Sequence, residues 1–367
     1  MKVLSQLVHM STATLCFTDG VWKNMRITDF DYGLPTELIP SAPTRERGTA
    51  RMVVVDRSSR EIRHEQFADL PRYLVPGDVV VLNDTKVMPT LLQGHTSDGA
   101  DVRIDLVSEK GDGLWECHIR RIRKTEPGTR ITLADGQIHA EVVGQNALGT
   151  GHVLRLDVQG ESLINILFEQ GRYMLPMYLN QNIEGSDYQT IFASEPGSNQ
   201  PPVAGMHFTS SMFDQLDAAG VEIVHITLRI GRLDDLSLLG GSRPVEEHQM
   251  YPEAYEVSDQ AATQINNAHT RGNRVMCIGT TTVRTLETVA DESGRVYPRH
   301  DWTNHFITPG YQFKTVDALM SNLQPPFSTN IMLHSAFGGH DLVMRAYTEA
   351  VERHYQFLEF GDCILYI

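Results

Sequence analysis

Two short apolar runs constrain this chain more than any other feature in it. Met52-Val53-Val54-Val55-Asp56 and Val79-Val80-Val81-Leu82-Asn83 are almost continuous, with no polar residue alternating into them. A strand with one wet face alternates. Runs like these read as strands buried on both faces, which calls for helices on each side of a sheet. The second run follows Pro76-Gly77-Asp78, a turn signal. Downstream, helices are expected over 211–220, 258–269, 282–290 and 341–355, with strands over 221–230 and 274–279. In the last helix Leu342, Val343, Ala346, Tyr347, Ala350 and Val351 share one stripe. The chain closes on another buried run, Cys363-Ile364-Leu365-Tyr366-Ile367. Such alternation predicts an α/β layered main domain.

Between residues 90 and 160 the period changes. Short alternating segments at 101–107, 115–122, 129–133, 137–143 and 152–158 are separated by turns such as Lys110-Gly111-Asp112-Gly113 and Glu126-Pro127-Gly128. Regular short strands with tight turns indicate an antiparallel barrel or sandwich. The expectation is an inserted antiparallel β-barrel domain at 90–160, with the α/β main domain formed by 25–89 and 161–367. Two domains also suit 367 residues, since one core stops growing at roughly 250–300. Residues 1–24 read as an N-terminal tail or an upstream start, with Met25 an alternative beginning.

The chain carries 46 acidic and 31 basic residues, a formal charge of −15. Nucleic-acid binding is driven by Lys and Arg against phosphates, so this is the wrong overall sign for it, although a local basic patch can sit on an acidic protein. Four isolated cysteines, Cys16, Cys117, Cys277 and Cys363, form no CxxC pair and fit a reducing cytoplasm. No apolar run approaches a membrane span, and residues 1–24 are too often interrupted by polar residues for a secretory signal.

Local motifs offer chemistry, each beside a plain structural reading. At 274–287 a buried strand ends in Gly279-Thr280-Thr281-Thr282, and a helix starts. Free N–H groups there favour an anion, or a threonine simply caps the helix. Arg284 either pairs with Glu287 one turn on or holds a carboxylate. In Pro201-Pro202-Val203-Ala204-Gly205-Met206-His207-Phe208-Thr209, Gly205 permits close backbone approach and His207 is a candidate base, while Thr209 suits a helix cap. His248-Gln249-Met250 supplies a third imidazole without metal-ligand spacing. Phe306-Ile307-Thr308-Pro309-Gly310-Tyr311 reads as a strand ending in a tight turn. Asp362 is a candidate base or a turn residue.

Taken in order, these segments resemble the S-adenosylmethionine:tRNA ribosyltransferase-isomerase family of queuosine biosynthesis. Further matching pieces are Asp29-Phe30-Asp31-Tyr32-Gly33-Leu34-Pro35, Asn83-Asp84-Thr85-Lys86-Val87, Asp187-Tyr188-Gln189-Thr190 and Phe360-Gly361-Asp362. The resemblance implies an α/β domain with an inserted barrel. It also implies transfer and isomerisation of the ribosyl part of S-adenosylmethionine onto a 7-aminomethyl-7-deazaguanine base in tRNA. Epoxyqueuosine forms, and adenine and methionine leave, with no metal and no cofactor beyond the co-substrate. On this reading His207, Thr209, His248 and Asp362 are catalytic candidates. Gly205, Tyr188, Gln189, Thr280, Thr281, Arg284 and Glu287 are substrate-binding candidates, with Thr280, Thr281 and Arg284 anchoring the methionine carboxylate.

The chain also departs from the family pattern. A Thr-Leu-His-Val-Gly-x-Gly-Thr-Phe segment stands here as Thr227-Leu228-Arg229-Ile230-Gly231-Arg232-Leu233-Asp234-Asp235, and a second histidine after His248 is Tyr251. Asn180, Gln181, Asp187, Phe327 and Gln356 occupy positions where the family carries basic side chains. Those losses predict weaker tRNA binding. They set two other readings beside the first: a paralog using S-adenosylmethionine or a related nucleoside with a small non-tRNA acceptor, and a non-catalytic nucleoside-binding module.

Overall fold

The computed structural model describes residues 25–43, 46–120, 125–146, 149–180, 182–231, 245 and 248–367. The expectations for residues 1–24 with Cys16, and for Ile122, Gln181 and Arg232-Leu233-Asp234-Asp235, lie outside the described residues.

The first four strands are β1 (Arg51–Val55), β2 (Ile62–Gln66), β3 (Val79–Asn83) and β4 (Thr85–Val87). Six follow in the region of changed period: β5 (Leu91–Thr96), β6 (Asp101–Gly111), β7 (Leu114–Arg120), β8 (Arg130–Leu133), β9 (Ile138–Gln145) and β10 (His152–Leu156). Then come α1 (Gly160–Gln170), β11 (Glu195–Ser198), α2 (Ser210–Ala218), β12 (Glu222–Leu228), β13 (Glu253–Val257), α3 (Asp259–Arg271), β14 (Val275–Ile278) and α4 (Thr280–Val289). The chain ends with β15 (Arg299–Thr303), β16 (Ala318–Asn322), α5 (Thr329–Gly338), α6 (His340–Glu352) and β17 (Cys363–Tyr366).

Nine strands form one mixed sheet in the order β15-β13-β12-β3-β14-β16-β17-β1-β2. Every residue of β3 and β14 is buried, as the apolar runs demand. One face packs on α3, α4, α5 and α6 through residues such as Ile265, Leu286, Ile331 and Val343. The other packs on α2 and the turn of helix at Phe67–Tyr73, through Phe67, Leu70, Met212 and Leu216. Strands β12, β3, β14 and β16 run parallel, so their carboxyl ends meet at one edge.

The other six strands close into an antiparallel barrel in the order β10-β7-β6-β5-β8-β9. Here burial alternates: along β9, Ile138, Ala140 and Val142 point inward while their neighbours are exposed. Leu163 and Leu167 of α1 join that core. Gly94 is required in β5, because a Cβ there would lie 2.0 Å from the Thr132 carbonyl oxygen of β8.

Two local expectations are corrected. Residues 304–308 form no strand: β15 ends at Thr303, Arg284 takes the His305 carbonyl, and Pro309 offers no N–H to a ladder. The helix after Gly279 starts at Thr280, and Gly279 itself, at φ +88°, is the capping residue. No described helix is long and apolar enough to cross a membrane.

Candidate active site

At the carboxyl edge of the parallel strands, side-chain amides tie the strand ends together. Asn83, which ends β3, donates from Nδ2 to the Leu228 carbonyl at 3.0 Å and to Thr281 Oγ1 at 3.2 Å, and accepts at Oδ1 from the Leu228 N–H. Thr280 Oγ1 donates to Asn330 Oδ1, Asn330 Nδ2 to Gln324 Oε1, and Gln324 Nε2 to Ser321 Oγ and the Asn322 carbonyl. The ends of β3, β12 and β16 and the starts of α4 and α5 are thereby tied together.

Above this floor lies a cavity of about 1140 Å³, walled on one side by the strand ends and on the other by the barrel. Ligands of open α/β sheets bind at this edge. The first residues of α4, Thr280 and Thr281, line it with Gly279 and Arg284, so the positive end of a helix macrodipole meets the cavity.

Arg284 lines the cavity and is nearly buried. Its Nη1 pairs with Glu253, its Nε donates to the His305 carbonyl at 3.0 Å, and its Nη2 is buried with no hydrogen-bond partner. The expected pairing of Arg284 with Glu287 does not form. Glu287 turns away, accepting from the Tyr311 hydroxyl and the N–H groups of Lys314, Thr315 and Val316. Burial raises its pKa, opposed by those bonds. Glu287 therefore ties α4 to the 311–316 segment, away from the cavity.

The structure brings together Thr280, Thr281 and Arg284 among the expected site residues and leaves the others off the cavity lining. His207 lies one layer behind: it is buried, packs on Phe67, and donates from Nε2 to Asn322 Oδ1 at 2.9 Å, and Asn322 does line the cavity. Burial pushes its imidazole below the ordinary histidine range. Thr209 caps α2 by accepting from the Met212 N–H. Gly205 is needed for packing, since a Cβ there would meet Phe192 at 2.7 Å. His248 packs edge-on against Phe306. Tyr188 is fully buried, and burial raises its pKa. Gln189 bonds both the N–H and the carbonyl of Val87, doing for β4 what a strand neighbour would do. Asp362 is buried, pairs with Arg51, and accepts from the N–H groups of Arg51 and Gln356. A carboxylate so engaged is a strut between β1 and the approach to β17.

Among the cavity residues that escaped the sequence reading, one adjoins the Phe360-Gly361-Asp362 motif. Glu359 is 7% exposed, lines the cavity, and takes a hydrogen bond from the Tyr178 hydroxyl. Burial pushes its carboxyl up to about 7. Among the described residues no group of three or more His, Cys, Asp or Glu side chains can hold a metal ion.

A family model described as queuosine biosynthesis protein matches residues 27–366. The chain belongs to that family. A Symbiobacterium thermophilum protein named S-adenosylmethionine:tRNA ribosyltransferase-isomerase is 45% identical over 348 residues, covering 93% of this chain and 99% of its own length. A namesake from Caldanaerobacter subterraneus is 39% identical, covering 94% and 100%. Among solved structures, an S-adenosylmethionine tRNA ribosyltransferase from Thermotoga maritima superposes with a TM-score of 0.52 at 33% identity, over 92% of this chain and all of that one.

Proposed function

We propose that this chain is a transferase-isomerase that moves the ribosyl part of S-adenosylmethionine onto the 7-aminomethyl-7-deazaguanine base of a tRNA in the cytoplasm, forming epoxyqueuosine and releasing adenine and methionine. Its working parts are the α/β unit of residues 25–89 and 161–367 and the barrel unit of 90–160. The observation that carries the donor half is Arg284: a guanidinium nitrogen left unpartnered in a buried position is a standing cost that an arriving carboxylate removes. With Thr280, Thr281 and the start of α4 it anchors the methionine carboxylate.

The chemistry then needs proton transfer. The sulfonium acidifies the C5′ hydrogens, and one must be taken; adenine must leave with help from an acid. Glu359 suits proton transfer because a group with a pKa near the working pH both takes and returns a proton. His207 acts through Asn322 as a positioning residue. Replacing His207 by Ala is expected to abolish adenine release while S-adenosylmethionine still binds, a fall in kcat rather than a rise in donor KM.

The reading with a small acceptor rests on the lost basic residues, and the reading without turnover also on the lost histidines. Phe327, one of those positions, is partly buried and packs against the hydrophobic core. The deciding experiment incubates the protein with S-adenosylmethionine, with and without tRNA carrying the aminomethyl-deazaguanine base, and follows adenine and methionine by mass spectrometry. Release that depends on that tRNA supports the reading; release without RNA, or none, overturns it.

A further inference from the structure

We propose that the barrel wall of the cavity is an anion site that takes the phosphodiester backbone of the RNA substrate. This deepens the function proposed above and rests on it. Strands β6 and β7 pair antiparallel with Arg103 directly opposite Arg120 and Asp105 opposite His118. These four side chains line the cavity, joined by His152 from the start of β10, which pairs with β7 at Cys117.

Like charges directly across a ladder destabilise it, so a sheet with no use for two facing guanidiniums is better off without them. Neither arginine forms an ion pair with a carboxylate among the described residues, although an ion pair occurs elsewhere on the barrel, at Lys110 with Glu116. Arg103 Nε and His152 Nδ1 are buried with no hydrogen-bond partner. Among the described residues that line this wall Asp105 is the one acidic side chain, and Thr90 Oγ1 donates to it at 3.2 Å. Among the described residues of this wall two guanidiniums thus stand beside one carboxylate, on a chain whose formal charge is −15. A polyanion drawn to this protein has a positive surface to meet here.

The rim of the same cavity has the second component of single-strand recognition. Tyr178 is 39% exposed and Met177 is 98% exposed, and both line the cavity next to Tyr173. Flat aromatic faces beside a cationic track are how proteins hold unpaired nucleotides, the phosphates on the cations and a base on the ring. The arrangement fits a loop of RNA whose target base is turned into the cavity toward the sheet wall, where the donor is held.

The test measures tRNA binding by fluorescence anisotropy across a potassium chloride series, for the whole protein and for R103Q, R120Q and R120K. Each glutamine variant is expected to weaken tRNA binding about tenfold and to lower the slope of log Kd against log salt by about one. R120K should keep the slope, and the Kd for S-adenosylmethionine should not move in any variant. Glutamine variants that bind tRNA with the parent affinity and slope overturn the proposal, as does an R120K slope equal to that of R120Q. Steep, arginine-dependent tRNA binding without adenine release leaves this site standing and removes the transferase reading instead.

Discussion

On the sheet wall of the cavity, charge and polarity are largely matched within the protein: Arg284 against Glu253, Asn83 against Leu228 and Thr281, and a relay from Thr280 through Asn330 and Gln324 to Asn322. On the barrel wall Arg103 faces Arg120 across a ladder with no ion-pair partner among the described residues. A matched surface holds its shape and positions a small ligand through the few atoms left over. An unmatched one loses stability in isolation and regains it when a charged partner arrives. On the proposals made above, the two walls serve two substrates, a compact donor bearing one carboxylate and an extended polyanion.

The comparison breaks most sharply at Arg284. Arg284→Met leaves the partly buried Glu253 carboxylate with the Gly231 N–H in place of its cation, a loss of about 1–3 kcal/mol in unfolding free energy. Adding Glu253→Met should restore the melting temperature, whereas affinity for S-adenosylmethionine by calorimetry should stay about 10- to 100-fold down. Recovery of donor affinity in the double variant would show that the arginine serves the fold alone.

Glu359 comes next. Its carboxyl is raised by burial from 4.5 to about 7, so the folded state favours the neutral acid. The associated stability is present in full below pH 4.5 and is lost as pH rises through 7, amounting to roughly 3 kcal/mol. E359Q, which never ionises, should therefore match the parent near pH 4.5 and exceed it in denaturant unfolding at pH 8, while losing turnover at every pH. Equal stability at pH 8 would mean that the carboxyl ionises without penalty.

Gly94→Ala probes the barrel alone. The new Cβ collides with the Thr132 backbone of β8, at a cost of about 1–3 kcal/mol, and tRNA affinity should fall more than donor affinity. Equal losses for both ligands would show that the two walls are not separable. The smallest effect is expected at Thr281→Val, which removes one acceptor from Asn83 Nδ2. Chemical denaturation should register about 1 kcal/mol.

Much of the architecture was legible because periodicity is local. β3, β14 and β17 read as buried runs, β9 and β10 as alternating ones, and α6 as a stripe. Helix α5 escaped notice because Ile331, Met332, Leu333, His334, Ser335 and Phe337 are all buried, leaving no polar face to mark a period. β16 escaped because its five residues are all buried yet end in Ser321 and Asn322, whose polar atoms look like loop until the amide network satisfies them. At the site, the glycine–threonine turn announced a helix start, and Arg284 stood out beside it. The histidine and carboxylates were also visible as chemistry, but not their occupations.

What the sequence by itself determined was the change of period at residue 90, the return to buried runs, and an order of motifs specific enough to indicate the family. Which side chains share a surface was decided only in three dimensions. Asp362 meets Arg51 across 311 positions, His207 meets Asn322 across 115, and Arg284 prefers Glu253, 31 positions away, to Glu287 on its own helix. Hydrophobic period follows from the geometry of a single element. The pairing of a charge depends on which strand ends the nine-stranded sheet brings together, and no spacing along the chain encodes that distance.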